Sequence, residues 1–277
     1  MLAAELRACG VDFSFTPVLD LDHFPGHANA LRGRCWGRDP QRVIDYAGQW
    51  NRWMRRQSIA SCAKHFPGHG DTATDSHLGL PILHKTKAEL QAEELLPFQY
   101  GIDRGVELIM VGHLAVPART GGENIPASIS RELITDLLKG EMGFKGLVIS
   151  DALNMKGVAK MGSAADVALL ALKAGNDIIL FPEDVNGFLD SAVKAKAKGE
   201  IDSAEIASRV IRLLATKYDL GLFDNRFVNP NNLLSDLEQI KSKFNNLYGQ
   251  EVADESMIYC RNSNIDCDVK HSPFKPT

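Results

Sequence analysis

The sequence predicts an α/β fold on a parallel sheet, closed as a (β/α)8 barrel of the TIM type, and three observations lead there. Short β-rich runs alternate with longer helical stretches, and strict alternation implies a parallel sheet, either doubly wound or closed into a barrel. Three apolar strand runs pass directly into polar or ionisable residues, at Lys64-His65, Gly112-His113 and Ser150-Asp151. In a barrel, the strand C-termini and their loops build the active site, and packing alone gives no reason for three such endings. Ordinary strand-end polar residues are the competing reading. No Gly-x-Gly-x-x-Gly follows any strand, so a dinucleotide site has no support.

The elements follow in chain order. Met1 to Gly10 reads as the end of an amphipathic helix, with Leu2, Leu6 and Cys9 on one face and Gly10 at the C-cap. Val11 to Leu19 is a strand. Asp39 caps a helix with Pro40 in its first turn, carrying Val43, Ala47, Trp50 and Met54 on one face. Ile59 to Ala63 is the next strand, and Thr86 to Glu89 has the form of a capping box opening a helix. Leu108 to Val111 is a strand. Ser130 caps a helix with Leu133, Ile134, Leu137 and Leu138 at helical spacing, and Leu147 to Ser150 is a strand. Ser163 to Ala174 is a helix closed by Gly175, and Asp177 to Phe181 is a fifth strand. Helices over 184–198 and 203–218 complete the series.

Composition narrows the function classes. The chain has 277 residues, of which 44% are hydrophobic, enough for one large core or two small ones. Net charge is −4 with no run of one sign, so nothing marks a nucleic-acid or anionic-membrane surface. The longest apolar runs are strand-sized, and no membrane segment is expected. Five cysteines, Cys9, Cys35, Cys62, Cys260 and Cys267, show no CxxC pair or metal-ligand spacing, so a reduced chain is expected.

The loop after the second strand is the densest in chemistry. Residues 64 to 77 read Lys-His-Phe-Pro-Gly-His-Gly-Asp-Thr-Ala-Thr-Asp-Ser-His. Gly68 and Gly70 suggest a mobile loop on a rigid scaffold. Asp75 and His77 stand two apart, close enough for the carboxylate to set the tautomer and basicity of the imidazole. His65, His69, Asp71, Asp75 and His77 also have the donor types of a metal-dependent hydrolase. A solvated loop is the third reading, and spacing alone does not separate the three.

This stretch resembles the signature of bacterial β-N-acetylglucosaminidases of glycoside hydrolase family 3. Phe15-Thr-Pro-Val-Leu-Asp20 and Gly143-Phe-Lys-Gly-Leu-Val-Ile-Ser-Asp-Ala-Leu-Asn-Met155 match two further blocks of that family in the same order. The likeness runs from about residue 1 to residue 224. It implies a metal-free retaining glycosidase that needs no cofactor and acts on a carbohydrate substrate, with Asp151 as nucleophile, His77 as general acid and base, and Asp75 hydrogen-bonded to His77. By the same resemblance Lys64 and His65 bind sugar hydroxyls and Arg34 reaches the same subsite. Asp20 either supports that site or caps its strand. The family's glucosidase branch lacks the Asp-x-His loop, which leaves a β-glucosidase as the alternative within the fold.

The resemblance also sets expectations for the two ends. Family members place two barrel strands and a sugar-binding aspartate ahead of the position of Met1, so a barrel lacking its N-terminal strands is expected, along with weak or absent turnover by this chain. A catalytically inactive barrel fragment is therefore a further reading. With any targeting signal upstream, the compartment stays open between cytoplasmic and periplasmic or exported; the oligomeric state is likewise open. Residues 1–228 are read as the barrel, 229–261 as a linker and helix opening toward a second α/β sandwich domain, and 262–277 as a disordered tail. His23 to His27 echoes the signature loop without its Asp-x-His and is read as coincidence or local divergence.

Overall fold

A computed structural model describes residues 1–23, 31, 33–72, 76 and 78–246. The chain divides into two compact units, Val11–Arg226, and Met1–Gly10 together with Phe227–Thr277. In the smaller unit, helix α1 (Leu2–Ala8) ends at Gly10, which holds a left-handed φ of 80°, and a second helix covers 233–246. The expected tail, and the end of the expected linker and helix, lie outside the described residues.

The larger unit alternates strand and helix. It runs β1 (Phe13–Ser14), α2 (Pro40–Arg56), β2 (Ala60–Phe66), α3 (Lys87–Ala92), α4 (Leu95–Asp103) and β3 (Leu108–Val111). A wide helix of the π type (Glu132–Glu141) leads to β4 (Leu147–Ser150), followed by α5 (Lys156–Ala159), α6 (Ala164–Ala174), α7 (Val185–Ala197) and α8 (Ser203–Asp219). The strands pair in parallel in the order β1-β2-β3-β4. That order advances one strand at a time without reversing, as in a barrel wall, whereas a doubly wound sheet reverses at a switch point.

Local chemistry explains the helix starts. Asp39 accepts the Arg42 N–H at the head of α2, with Pro40 in its first turn. Capping boxes at Thr86/Glu89 and Ser163/Asp166 open α3 and α6, and Gly175 closes α6 with a φ of 119°. Ser130 Oγ accepts the Leu133 N–H, as expected for a cap. The helix behind it nevertheless takes the wider turn, with Leu133, Ile134, Leu137 and Leu138 all buried.

Two strands depart from the sequence reading. The run Val11 to Leu19 makes a regular ladder only at Phe13–Ser14, because Pro17 has no N–H to donate. Pairing continues through the Thr16 and Pro17 carbonyls to Cys62 and Lys64, and Leu19 N–H returns to the Lys64 carbonyl at 2.6 Å. The expected strand Asp177 to Phe181 forms a single bridge, Ile149 to Ile178. The Ser150 hydroxyl takes the Leu180 N–H at 3.0 Å where a backbone carbonyl would sit, and Phe181 turns to a left-handed φ of 47°.

Both faces of the sheet are buried. Ala63, Phe66, Ile109, Val111 and Val148 join the main core with α2, α4 and the wide helix; Phe66 and Phe98 meet edge to face at 5.4 Å. Ala60, Cys62, Leu108, Met110, Leu147 and Ile149 form the opposite face, against which Leu213 and Leu220 pack. Alternation along each strand therefore divides the side chains between two apolar layers, so the strands read as continuous apolar runs.

Candidate active site

The polar strand ends meet at the C-terminal end of the sheet. Asp20, just beyond the last pairing of the first strand run, is wholly buried and anchors the start of the signature loop. Its carboxylate accepts the His65 N–H at 3.2 Å to both oxygens, the His65 Nδ1–H at 2.7 Å and the His69 N–H at 2.7 Å. Burial alone would raise the Asp20 pKa, but the fields and hydrogen bonds of His65 and His69 outweigh it and hold the carboxyl below its ordinary 3.8. An ionised Asp20 fixes the proton of His65 on Nδ1, so Nε2 is the ring nitrogen left for other partners.

Sequence reasoning underrated Asp20, which serves as a hub and not as a strand cap. The signal was there in outline, since the Phe-Thr-Pro-Val-Leu-Asp block ends on an acid at a strand terminus. What the sequence does not give is the convergence of that terminus on residues 65 and 69.

The glycines of the loop also have a different role from the mobility expected of them. Residues 66–70 are buried. A Cβ on Gly70 would run into the Leu21 carbonyl, and one on Gly68 would strike the Glu94 side chain, at a position with φ of 121°. Close approach of backbone to backbone is what Gly70 permits. Gly70→Ala is expected to lower Tm by roughly 5 °C or more through that overlap, measured by thermal unfolding; an unchanged Tm would show that the loop stands off from Leu21.

Lys64 is half-buried at the end of β2, with Nζ 5.8 Å from the Phe15 ring centroid. Burial and the Arg34 charge push its pKa down, while Asp151 and Asp20 pull it back. Arg34, Lys64 and Asp151 thus share one electrostatic neighbourhood. Asp151 follows β4; its N–H donates to the Val111 carbonyl at 2.9 Å, and its Oδ1 accepts the Ala152 N–H at 2.9 Å. Asp75 and His77 lie outside the described residues. Ser76 between them is described: its carbonyl accepts the Gly157 N–H at 3.0 Å, tying that point of the loop to the segment after Asp151.

Two more histidines are buried beside the site. His69 is paired through Nδ1 with Thr72 Oγ1 at 2.7 Å. His113 is paired with Ser128 Oγ and with the Ala152 carbonyl. Burial pushes both below the ordinary 6.5, against the raising fields of Asp20 and Asp151 respectively. The folded chain therefore keeps them neutral where the unfolded chain takes up protons, so stability is full above about pH 6.5 and falls as pH drops below it. The urea midpoint is expected to be lower at pH 5.5 than at pH 7.5; equal midpoints would contradict this.

The donor atoms of a metal-dependent hydrolase do not converge among the described residues His65, His69 and Asp71. Among the described residues, three ligand-type atoms within 4.8 Å of one another belong to His23, Glu93 and Glu94. There the Lys85 ammonium already contacts both glutamates at 2.7 Å. Among the described residues, no helix is long and apolar enough to cross a membrane.

The Glycosyl hydrolase family 3 N terminal domain matches residues 1–216. The chain belongs to glycosyl hydrolase family 3. Curated relatives of this family 3 chain include proteins named Beta-hexosaminidase from Nitrosospira multiformis, 41% identical over 180 residues, and from Chromobacterium violaceum, 40% identical over 192 residues. Those alignments cover 65% and 68% of this chain and 50% and 52% of the relatives, so the chain spans about half the length of the curated relatives it matches. A solved family 3 β-N-acetylglucosaminidase from Paenibacillus sp. is similar at 35% identity with a TM-score of 0.78, covering 82% of this chain and 44% of that one. The expected α/β fold of the TIM-barrel kind is that of the family, with four parallel strands among the described residues and the Ile149–Ile178 bridge where the fifth was expected.

Proposed function

We propose that this chain carries the catalytic residues of a retaining β-N-acetylhexosaminidase, which releases terminal β-linked N-acetylglucosamine from glycans such as peptidoglycan fragments or chitin oligomers. The observation that carries this reading is the Asp151 carboxylate at the C-terminal end of the sheet, where Lys64 and His65 also lie. One of its oxygens is held by the Ala152 N–H, and the other is left to bond. The names of the similar proteins favour the 2-acetamido sugar.

Asp151 Oδ2 attacks the anomeric carbon as the bond to the aglycone oxygen breaks, giving a covalent glycosyl-aspartate. His77 gives its proton to the departing oxygen, and Asp75 stabilises the imidazolium beforehand. Water then attacks the same carbon from the face the aglycone left and returns a proton to His77, and Asp151 regains its carboxylate. Two displacements retain the β configuration. An imidazole with an ordinary pKa of ~6.5 serves as donor and acceptor near neutrality. Lys64 and Arg34 donate to sugar hydroxyls, each charge-assisted bond contributing about 1.5–3 kcal/mol. His65, with Nδ1 committed to Asp20, offers Nε2.

Comparing kcat/KM for an aryl β-N-acetylglucosaminide and the matching aryl β-glucoside tests the reading. A preference of on the order of 10²-fold or more for the acetamido sugar is expected, because a site built around a hydrogen-bonding group rejects the analogue lacking it. A preference for glucoside would move the chain to the glucosidase branch, and turnover of neither would favour an inactive barrel.

A further inference from the structure

His113 follows β3 by two residues and is wholly buried, yet no step of the proposed reaction uses it. A buried imidazole is costly unless its nitrogens are paired, and here both are. Nε2 lies 2.8 Å from the Ala152 carbonyl and Nδ1 2.7 Å from Ser128 Oγ. A carbonyl cannot donate, so the ring proton sits on Nε2, and Nδ1 accepts from the Ser128 hydroxyl.

The far side of this arrangement is just as fixed. The Ser128 carbonyl accepts Asn176 Nδ2 at 2.9 Å, and the Asn176 carbonyl accepts Arg209 Nη1 from α8 at 2.8 Å. Ser128, Asn176 and Arg209 are all buried. On the near side, three consecutive residues are pinned. Asp151 N–H binds the Val111 carbonyl, the Ala152 carbonyl takes His113 Nε2–H as well as the Met155 N–H, and Leu153 N–H binds the Leu180 carbonyl at 3.0 Å. The Ala152 N–H in turn holds Asp151 Oδ1. The hydrogen that orients the carboxylate thus belongs to the residue whose carbonyl His113 grips. Gly157 closes the packing, since a Cβ there would come within 3.0 Å of His113 Cβ.

We propose that His113 is a positioning residue for Asp151: by holding the Ala152 carbonyl it fixes the Ala152–Leu153 peptide and so the backbone at Ala152, which keeps the Ala152 N–H of the preceding peptide on Oδ1 and presents Oδ2 to the anomeric carbon. The role rests on the reading of Asp151 as nucleophile. His113 touches no substrate; its effect passes through the Ala152 backbone, where a displacement near 1 Å costs on the order of a hundredfold in rate.

The test uses the 277-residue chain and a fluorinated N-acetylglucosaminyl fluoride that traps the glycosyl-enzyme, reading kinact and KI separately and mapping the label. His113→Gln places an amide nitrogen the same number of bonds from Cβ as Nε2 and keeps a donor for Ala152. His113→Asn reaches only as far as Nδ1 and loses it. The Asn variant is expected to lose about tenfold to a hundredfold in kinact with KI unchanged, and the Gln variant to stay within about threefold of wild type. A structural role alone would not produce that split or that rescue. If the Asn variant does not fold, Ser128→Ala replaces it, with a several-fold loss in kinact expected as the ring is released.

Asp151 labelled at the wild-type rate in folded Asn or Ser128→Ala variants overturns the positioning role and leaves the nucleophile reading intact. A folded Gln variant that loses tenfold or more also overturns it. A wild-type chain labelled on a carboxylate other than Asp151 removes the nucleophile reading, and the positioning role with it.

Discussion

Replacing Asp151 with asparagine is expected to lower turnover of an aryl N-acetylglucosaminide by on the order of 10⁴-fold, a loss in the range seen when a nucleophile is removed. The amide keeps an oxygen for the Ala152 N–H, so the loop after β4 retains its hydrogen bond and the fold is undisturbed. What is lost is the second oxygen's ability to form and release an ester. Tm is therefore expected to stay within about 2 °C of wild type, consistent with a stability change of about 1 kcal/mol or less. Steady-state kinetics and thermal unfolding on the same preparations check both halves. A folded Asp151→Asn chain with wild-type kcat would show that another group attacks the sugar.

The second large effect concerns stability. Asp20→Ala removes the acceptor of three buried donors, the His65 N–H, the His65 Nδ1–H and the His69 N–H. Each stranded donor costs about 1–3 kcal/mol, so a loss of roughly 3 kcal/mol or more is expected, out of a total near 5–15 kcal/mol. Activity falls too, because His65 loses its anchor. The pH dependence has a definite sign. Asp20 is held below 3.8 in the folded chain, so its contribution is present above that value and is lost as pH falls through the lowered one. Urea unfolding at pH 7 and pH 3.5 is expected to show a wild-type advantage over Asp20→Ala that shrinks at the lower pH. A difference below 1 kcal/mol at pH 7 would mean that the loop does not depend on Asp20.

Elements governed by local chemistry were legible in the sequence. Asp39-Pro40, the Thr86 and Ser163 boxes and Gly175 mark helix ends through interactions spanning three or four residues, and each cap is present. The polar strand ends at Lys64-His65, Gly112-His113 and Ser150-Asp151 were equally legible, because an apolar run passing into ionisable groups needs no long-range knowledge to notice. Features that depend on distant contacts were not. Gly70 looks like a flexible hinge until Leu21 is found against its Cα, and Asp20 looks like a cap until residues 65 and 69 arrive beside it. The fifth strand shrinks to a bridge because the Ser150 side chain takes the hydrogen bond that a backbone carbonyl would have made. His113 stood in view at a strand end, but its partners Ser128 and Ala152 are 15 and 39 residues away.

Covalent labelling tests the central assignment most directly. The chain is incubated with the fluorinated trap, its intact mass is measured, and the modified peptide is sequenced. One glycosyl group on Asp151, absent from Asp151→Asn and lost slowly on dilution as the ester hydrolyses, is the expected result. A label on any other carboxylate, or saturating trap with full loss of activity and no covalent mass, would contradict it.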